Sequence, residues 1–296
     1  MMAINVNGLS KRFGRVEALK EVSFSVPQGE TVVLWGSNGA GKTTILRCLL
    51  GVLAFDGALQ VSGFDVSTQG KQVRSHIGYV PQEIRLHQDQ SVWETVSFYA
   101  RLRRIKTDRA KELLREWDLS SAQKQSVNHL SGGMKQKLAL IIALLSDPPI
   151  LFLDESTSHL DLKTRHEFVS QLSKLQKSGK TILLCSHRLS EVCKLADRVI
   201  VLEQGRKLKE GRSEEIRALI SDTAILSLTV GEQNCKKAAE LIHQRGFEVT
   251  HNETCLWVEI PVARKSEPLQ LLYEKSIPVL DFELEDEVGH DEDARG

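Results

Sequence analysis

The sequence predicts an α/β fold built on a mostly parallel sheet, followed by a smaller α+β domain, and three observations predict it. From residue 134 to 187, helix-like and buried strand-like runs alternate strictly. A loop rich in glycine, "GSNGAGKTT" (36 to 44), stands between an apolar run and a helix-like run. After about residue 222 smaller elements begin again in a different order. Alternating helices and buried strands bury both faces of a parallel sheet, so the first observation sets the class.

Taken in order, residues 1 to about 65 carry the strand-like runs "AINVNGL", "VSFSV", "TVVLWG" and "ALQVSG", a β-rich sheet around the glycine loop. Thr31 to Trp35 reads as a short, fully buried strand, and "TILRCLLGVL" (44 to 53) has apolar residues at helical spacing. "IGYVP" reads as a further strand that ends just before Gln82. Residues 83 to 129 change character: "SVWETVSFYARLRRI", "RAKELLREWDL" and "SSAQKQSV" read as helices with charged faces, so a helical subdomain is expected over about 83 to 145. Then come the helix "MKQKLALIIALL", the strand "ILFLD", the helix "LKTRHEFVSQLSKLQKSG" and the strand "TILLCSH". The first domain is expected to span 1 to 217. Over 223 to 285, "AILSLTV", "CKKAAELIHQRG", "FEVTHN", "TCLWVEIP", "KSEPLQLLYEKS" and "PVLDFELE" give the strand–helix–strand–strand–helix–strand order of a ferredoxin-like unit. The acidic residues 286 to 296 are expected to be disordered.

Composition removes several function classes. Lys+Arg and Asp+Glu both number 39, so there is no basic excess for binding nucleic acid by counterion release, and no nucleic-acid partner is expected. The longest apolar stretches, "LALIIALL" and "ILFL", fall far short of the ~20 residues that span a bilayer. The start lacks a charged region followed by an apolar one, which argues against secretion of the chain itself. The five cysteines form no C-x-x-C pair, so neither a disulfide framework nor a zinc site is expected, and Cys48 and Cys185 read as core filler.

The glycine loop carries the chemistry. Gly36, Gly41, Lys42 and Thr43 fit G-x-x-x-x-G-K-[ST], in which backbone amides hold phosphates, the lysine reaches the β and γ groups and the hydroxyl binds Mg²⁺. Glycine lets the backbone come close to such a ligand, and a helix N-terminus behind the loop adds partial positive charge. A metal held on one side by the loop needs a partner on the other. "ILFLDE" ends a buried strand in Asp154, placed to hold Mg²⁺, with Glu155 one residue beyond, where an attacking water would sit. Between them, in "LSGGMKQKL", Ser131, Gly132 and Gly133 open a long helix and so offer a second anion site.

The ordered set "GSNGAGKTT", Gln82 after "IGYVP", "LSGGMKQKL", "ILFLDE" and "CSHRLSE" resembles the nucleotide-binding subunit of ATP-binding cassette (ABC) transporters, over roughly residues 3 to 217. The resemblance implies a P-loop NTPase core with ATP and Mg²⁺. It implies that Phe13 stacks on adenine, that Gly36, Ser37, Asn38, Gly39, Ala40, Gly41, Lys42, Thr43 and Thr44 form the Walker A loop, and that Gln82 touches the metal. Asp154 and Glu155 correspond to Walker B, His187 to the switch histidine and Asp161 to the D-loop aspartate. Thr43, Gln82 and Asp154 are thereby the metal group, and Glu155 with His187 the catalytic pair. Ser131, Gly132, Gly133 and Met134 correspond to the signature, which in this family binds the ATP held by the opposite subunit. A second ABC ATPase subunit, in a homodimer, and integral membrane permease subunits are therefore the implied partners, with the chain peripheral at the cytoplasmic face of the cell membrane.

Phe13 also has a plain reading as a core residue, and His187 as a satisfied buried histidine. The signature departs from the family at Met134, which resembles the ABC-2 exporter branch, and the D-loop has Ser156 and His159 where proline and glycine are usual. Met134 and the length of the tail domain favour export. An importer ATPase with a regulatory C-terminal domain, or a non-transport ABC ATPase, stands as the alternative.

Overall fold

The computed structural model describes residues 1–157, 160, 162–187, 195–220, 223–261 and 264–286. The chain divides into two compact units, Met1–Ser213 and Glu214–Gly296.

The centre of the first unit is a six-stranded sheet. Its strands are β3 (Thr31–Trp35), β6 (Ile77–Val80), β7 (Ile150–Asp154), β8 (Thr181–Ser186), β9 (Arg198–Glu203) and β10 (Arg206–Arg212), in the order β10-β9-β3-β8-β7-β6. All neighbours are parallel except β10 with β9. Every residue of β3, β7 and β8 is buried, as expected for parallel strands covered on both faces. Trp35 pairs with Ser186 and Asp154 with Cys185, so the three strands end at the same edge of the sheet. Ligands of open α/β sheets bind outside that carboxyl edge.

A second sheet is antiparallel, with β1 (Met2–Phe13), β2 (Val16–Pro27), β4 (Asp56–Val61) and β5 (Phe64–Asp65) in the order β2-β1-β4-β5. Alternate residues of β1 face inward, Ile4 and Val6 among them, and share one apolar core with Ile45, Leu46 and Leu49 of α1 (Lys42–Leu49) and with Phe152 of β7. The core thus fixes α1 against the sheet that carries the glycine loop.

The helical part contains α3 (Val92–Leu102), α4 (Thr107–Glu116) and α5 (Gly132–Leu144), with the short α2 (Gly70–Ser75) before it. A capping box starts α3: Glu94 N–H donates to Ser91 Oγ at 3.2 Å and Ser91 N–H to Glu94 Oε2 at 2.8 Å. One expectation is corrected here. "SSAQKQSV", read as a helix, forms turns that lead into a 3-10 turn at Val127–His129. It has no apolar stripe to bury, and its backbone serves another helix instead: Val92 N–H donates to Gln125 O at 3.0 Å and Trp93 N–H to Gln123 O at 2.9 Å. Two first-turn amides of α3 are satisfied in this way. The helix α6 (Leu162–Lys177) lies between β7 and β8 in the chain, and α7 (Ser213–Ile220) follows β10.

The second unit runs β11 (Thr223–Val230), α8 (Glu232–Gln244), β12 (Glu248–His251), β13 (Cys255–Pro261), α9 (Glu267–Glu274) and β14 (Val279–Asp286). Its sheet is antiparallel throughout, in the order β12-β13-β11-β14, so β13 lies between β11 and β12. Its own core joins Leu226, Leu228, Leu256 and Val258 with Ala238 and Ile242 of α8 and Leu272 of α9. The acidic residues 287–296 lie outside the described residues.

Candidate nucleotide site

The loop between β3 and α1 is shaped by its glycines. Gly41 has φ 105°, a left-handed conformation that a side chain rarely adopts, and a Cβ there would lie 2.6 Å from Leu19 Cδ2. A Cβ on Gly36 would lie 2.2 Å from the Leu202 carbonyl oxygen, so only glycine lets the loop leave β3 beside β9. Ser37, Asn38 and Gly39 form the more open arch, and Ala40 N–H closes it by donating to Ser37 O at 3.2 Å. Lys42, Thr43 and Thr44 are the first residues of α1, where backbone amides lack intrahelical acceptors. The arch and the helix start together form a concave anion site.

Lys42 Nζ is buried and donates to Gly36 O at 2.8 Å and Ser37 O at 2.9 Å, and it lies 3.2 Å from Glu155 Oε1. Thr43 Oγ1 donates to Asp154 Oδ1 at 2.8 Å. The Tyr79 hydroxyl, from β6, donates to Asp154 Oδ2 at 3.4 Å. Sequence reasoning missed Tyr79, because its approach depends on β6 pairing beside β7, which no local pattern states.

Asp154 and Glu155 differ sharply although adjacent. Asp154 is 1% exposed, and burial raises its pKa above the ordinary aspartate value, against the hydrogen bond from Thr43. Glu155 is lowered, first by the His187 imidazole 3.5 Å away and then, against the opposing effect of burial, by Lys42. Glu155 also has φ 44°, a left-handed value for a residue with a side chain. Its N–H donates to Cys185 O at 3.1 Å, which ties the turn after β7 to β8. Such conformations cost about 1–3 kcal/mol and gather at functional sites. The turn sets Glu155 Oε2 at 3.3 Å from Gln82 Nε2 and 3.5 Å from His187 Nδ1.

The structure therefore brings Lys42, Thr43, Gln82, Asp154, Glu155 and His187 together at the carboxyl edge of the parallel sheet. The hard oxygens of Thr43 and Asp154, 2.8 Å apart beside a buried carboxylate, are the donor set that suits Mg²⁺.

Ser131, Gly132, Gly133 and Met134 stand at the start of α5, where Met134 N–H donates to Ser131 Oγ at 3.3 Å. Ser131 and Gly132 are exposed, whereas Gly133 is buried, and a Cβ on it would meet Thr164 Cγ2 at 2.2 Å. Phe13 is 47% exposed at the end of β1, with Lys11 Nζ 5.0 Å from its ring centre, so it is not a core residue. His159 and Asp161 lie outside the described residues, while Ser156 is buried. Cys48 and Cys185 are buried, and burial pushes the Cys48 thiol up to about 11, which keeps it an inert core group.

A glycine loop on a helix start, a threonine–aspartate pair and a strained glutamate at one sheet edge define a P-loop nucleotide-binding ATPase. The family model described as "ABC transporter" matches residues 19–158. A Nod factor export ATP-binding protein I of Rhizobium sp. (strain N33) is 41% identical over 215 residues, 71% of each chain. The daunorubicin resistance ATP-binding protein DrrA3 of Streptomyces coeruleorubidus is 37% identical over 221 residues, 73% of this chain and 70% of that one. Among solved structures, cbiO1 from Clostridium perfringens, part of the ABC transporter complex cbiONQ, has a TM-score of 0.67 at 28% identity and covers 73% of this chain and 91% of its own. The chain belongs to the ABC transporter ATP-binding family, whose members are ATPases.

Proposed function

We propose that this chain, an ABC transporter ATP-binding subunit, pairs with a second copy around ATP and powers export through separate membrane permease subunits, at the cytoplasmic face of the membrane. The observation that carries the reading is the joining of Lys42, Thr43, Asp154 and Glu155 in one cluster at the sheet edge, while the exposed Ser131 and Gly132 open a different helix. Each copy offers a phosphate cradle and, separately, a second helix start for the nucleotide of its partner. Among the described residues no helix is long and apolar enough to cross a membrane. Export is favoured over import because the relatives named above are export and drug-resistance proteins, and because Met134 replaces the more usual glutamine in the signature.

In this reading Lys42 exchanges its bonds to Gly36 O, Ser37 O and Glu155 for the β and γ phosphates. Thr43 and Asp154, with Gln82 nearby, would hold Mg²⁺, which would neutralise charge on the phosphates. Released from Lys42, Glu155 orients and deprotonates the attacking water. His187, beside Glu155 at the end of β8, steadies that carboxylate and faces the γ phosphate. Phe13 offers its exposed ring to the base, and Asp161 acts at the seam between copies.

The test is light scattering of the Glu155→Gln chain with and without MgATP. Binding without turnover is expected to double the mass, and Lys42→Ala to stay monomeric. A Glu155→Gln chain that binds ATP and stays monomeric would remove the pairing.

A further inference from the structure

The second unit carries a feature that nucleotide chemistry does not use. β14 is an outer strand of its sheet, paired with β11 alone among the described residues. On it Leu280, Phe282 and Leu284 are 69%, 59% and 40% exposed. The register shows which core they extend. Phe282 stands opposite Leu228, which stands opposite Leu256, and Leu284 stands opposite Leu226, which stands opposite Val258. Those four partners are buried. Two apolar rows of the core therefore cross the sheet and run out at its edge. Beside that edge lies a groove of about 670 Å³, lined by Leu269 and Tyr273 of α9 and by Leu280 and Phe282.

The other face of β14 is acidic, with Asp281 opposite Thr229 and Glu283 opposite Ser227. Edge strands template the pairing of further chains unless charge, proline or a cover blunts them; β14 contains neither lysine nor proline, and its charges are all acidic, so they repel like strands and not basic ones. The alternation also discriminates between partners. If a second copy paired antiparallel with Phe282 against Phe282, Asp281 would stand opposite Glu283 twice. Antiparallel registers that set Phe282 against Leu280, Phe282 or Leu284 of the second copy each put acid opposite acid, and like charges across a ladder are unfavourable. A strand with cations at those positions has no such conflict.

We propose that the β14 edge takes up, as a fifth strand, an extended segment of another polypeptide in which apolar and basic residues alternate. Its apolar side chains continue the Phe282 and Leu284 rows, and its basic ones face Asp281 and Glu283. Main-chain bonds supply affinity and the alternate side chains supply selectivity. The Phe282 N–H donates to Asp281 Oδ1 at 2.8 Å, so a side chain of the strand itself occupies a donor that an incoming carbonyl would take. The inference is independent of the nucleotide site.

The experiment is fluorescence anisotropy of the whole chain with labelled ten-residue peptides of alternating valine and lysine. One control keeps the composition in blocks of two valines and two lysines, and another carries N-methyl groups on alternate amides. The alternating peptide is expected to bind at least about tenfold more tightly than either control, and Phe282→Lys to weaken it about tenfold. Glu283→Lys, a change at an exposed position, is expected to shift preference toward a valine–glutamate peptide, and it decides the matter if Phe282→Lys fails to fold by circular dichroism. Equal binding of the three peptides, or no saturable binding, overturns the proposal. Self-association of the free chain that Glu283→Lys alters would assign the edge to a second copy instead.

Discussion

Lys42 Nζ and Glu155 Oε1 lie 3.2 Å apart with both side chains buried, so the cation of the glycine loop is held by the carboxylate assigned to activate water. Two loop carbonyls share the lysine, which keeps it solvated by protein when phosphate is absent. On the proposed function, the nucleotide would break this pair and so free Lys42 for phosphate and Glu155 for water.

Lys42→Ala removes the cation and leaves Glu155 with His187 and Gln82. ATP binding is expected to weaken severely and turnover to be lost, read by nucleotide titration and by phosphate release. Near-normal hydrolysis would remove Lys42 from the phosphate site.

The two adjacent carboxylates predict stability changes of opposite sign. Glu155 is held below its ordinary value, chiefly by His187, so its contribution is complete above the ordinary carboxylate range and is lost as pH falls through the lowered value. Without Mg²⁺ at pH 7, Glu155→Gln is expected to lower stability by about 1–3 kcal/mol, because Lys42 loses its charged partner but keeps two carbonyls. The gap from wild type should close as pH falls below the ordinary glutamate range and through the lowered value. Asp154 is raised by burial, so the stability linked to it is present below the ordinary aspartate value and lost as pH rises through the raised one. Asp154→Asn is therefore expected to stabilise the metal-free chain at pH 7, while abolishing Mg²⁺-dependent hydrolysis. Thermal unfolding in chelator, followed from pH 7 down past the ordinary carboxylate range, measures both, and equal shifts in the same direction would contradict the assignment.

Gly133→Ala places a methyl 2.2 Å from Thr164 Cγ2, so the Thr164 side chain must turn away or α5 and α6 must separate. A loss of about 1–3 kcal/mol is expected, as for overpacked cores. Thr164→Ser removes that methyl and should recover most of the loss in the double variant, by thermal or urea unfolding. Without recovery, the clash is not the cause.

A chain ending near residue 220 keeps every residue of the nucleotide site and the core joining α1 to the sheets. It is expected to fold and to bind ATP with unchanged affinity. A soluble truncated chain that cannot bind nucleotide would show that the boundary is misplaced.

Much of the site was legible because local rules govern it. Gly36, Gly41 and Lys42 are fixed by a turn that only glycine allows, and Asp154 by the end of a wholly apolar strand. What the sequence did not convey is order across the sheet. β8 lies between β3 and β7, and this places His187 beside Glu155. β9 and β10 also went unassigned, although Leu202 O explains Gly36. Residues 120–126 misled because charge and amide content resemble an exposed helix, whereas capping α3 decides their path.

The central claim is that Glu155 is the base and Lys42 the phosphate anchor, and single-turnover phosphate release by the complete transporter tests it most directly. With Glu155→Gln, MgATP should still bind while release slows by about 10² to 10⁴, the usual contribution of general base catalysis. Phosphate release at the wild-type rate, or a Glu155→Gln chain that cannot bind MgATP, would contradict the assignment and leave His187 as the group to examine.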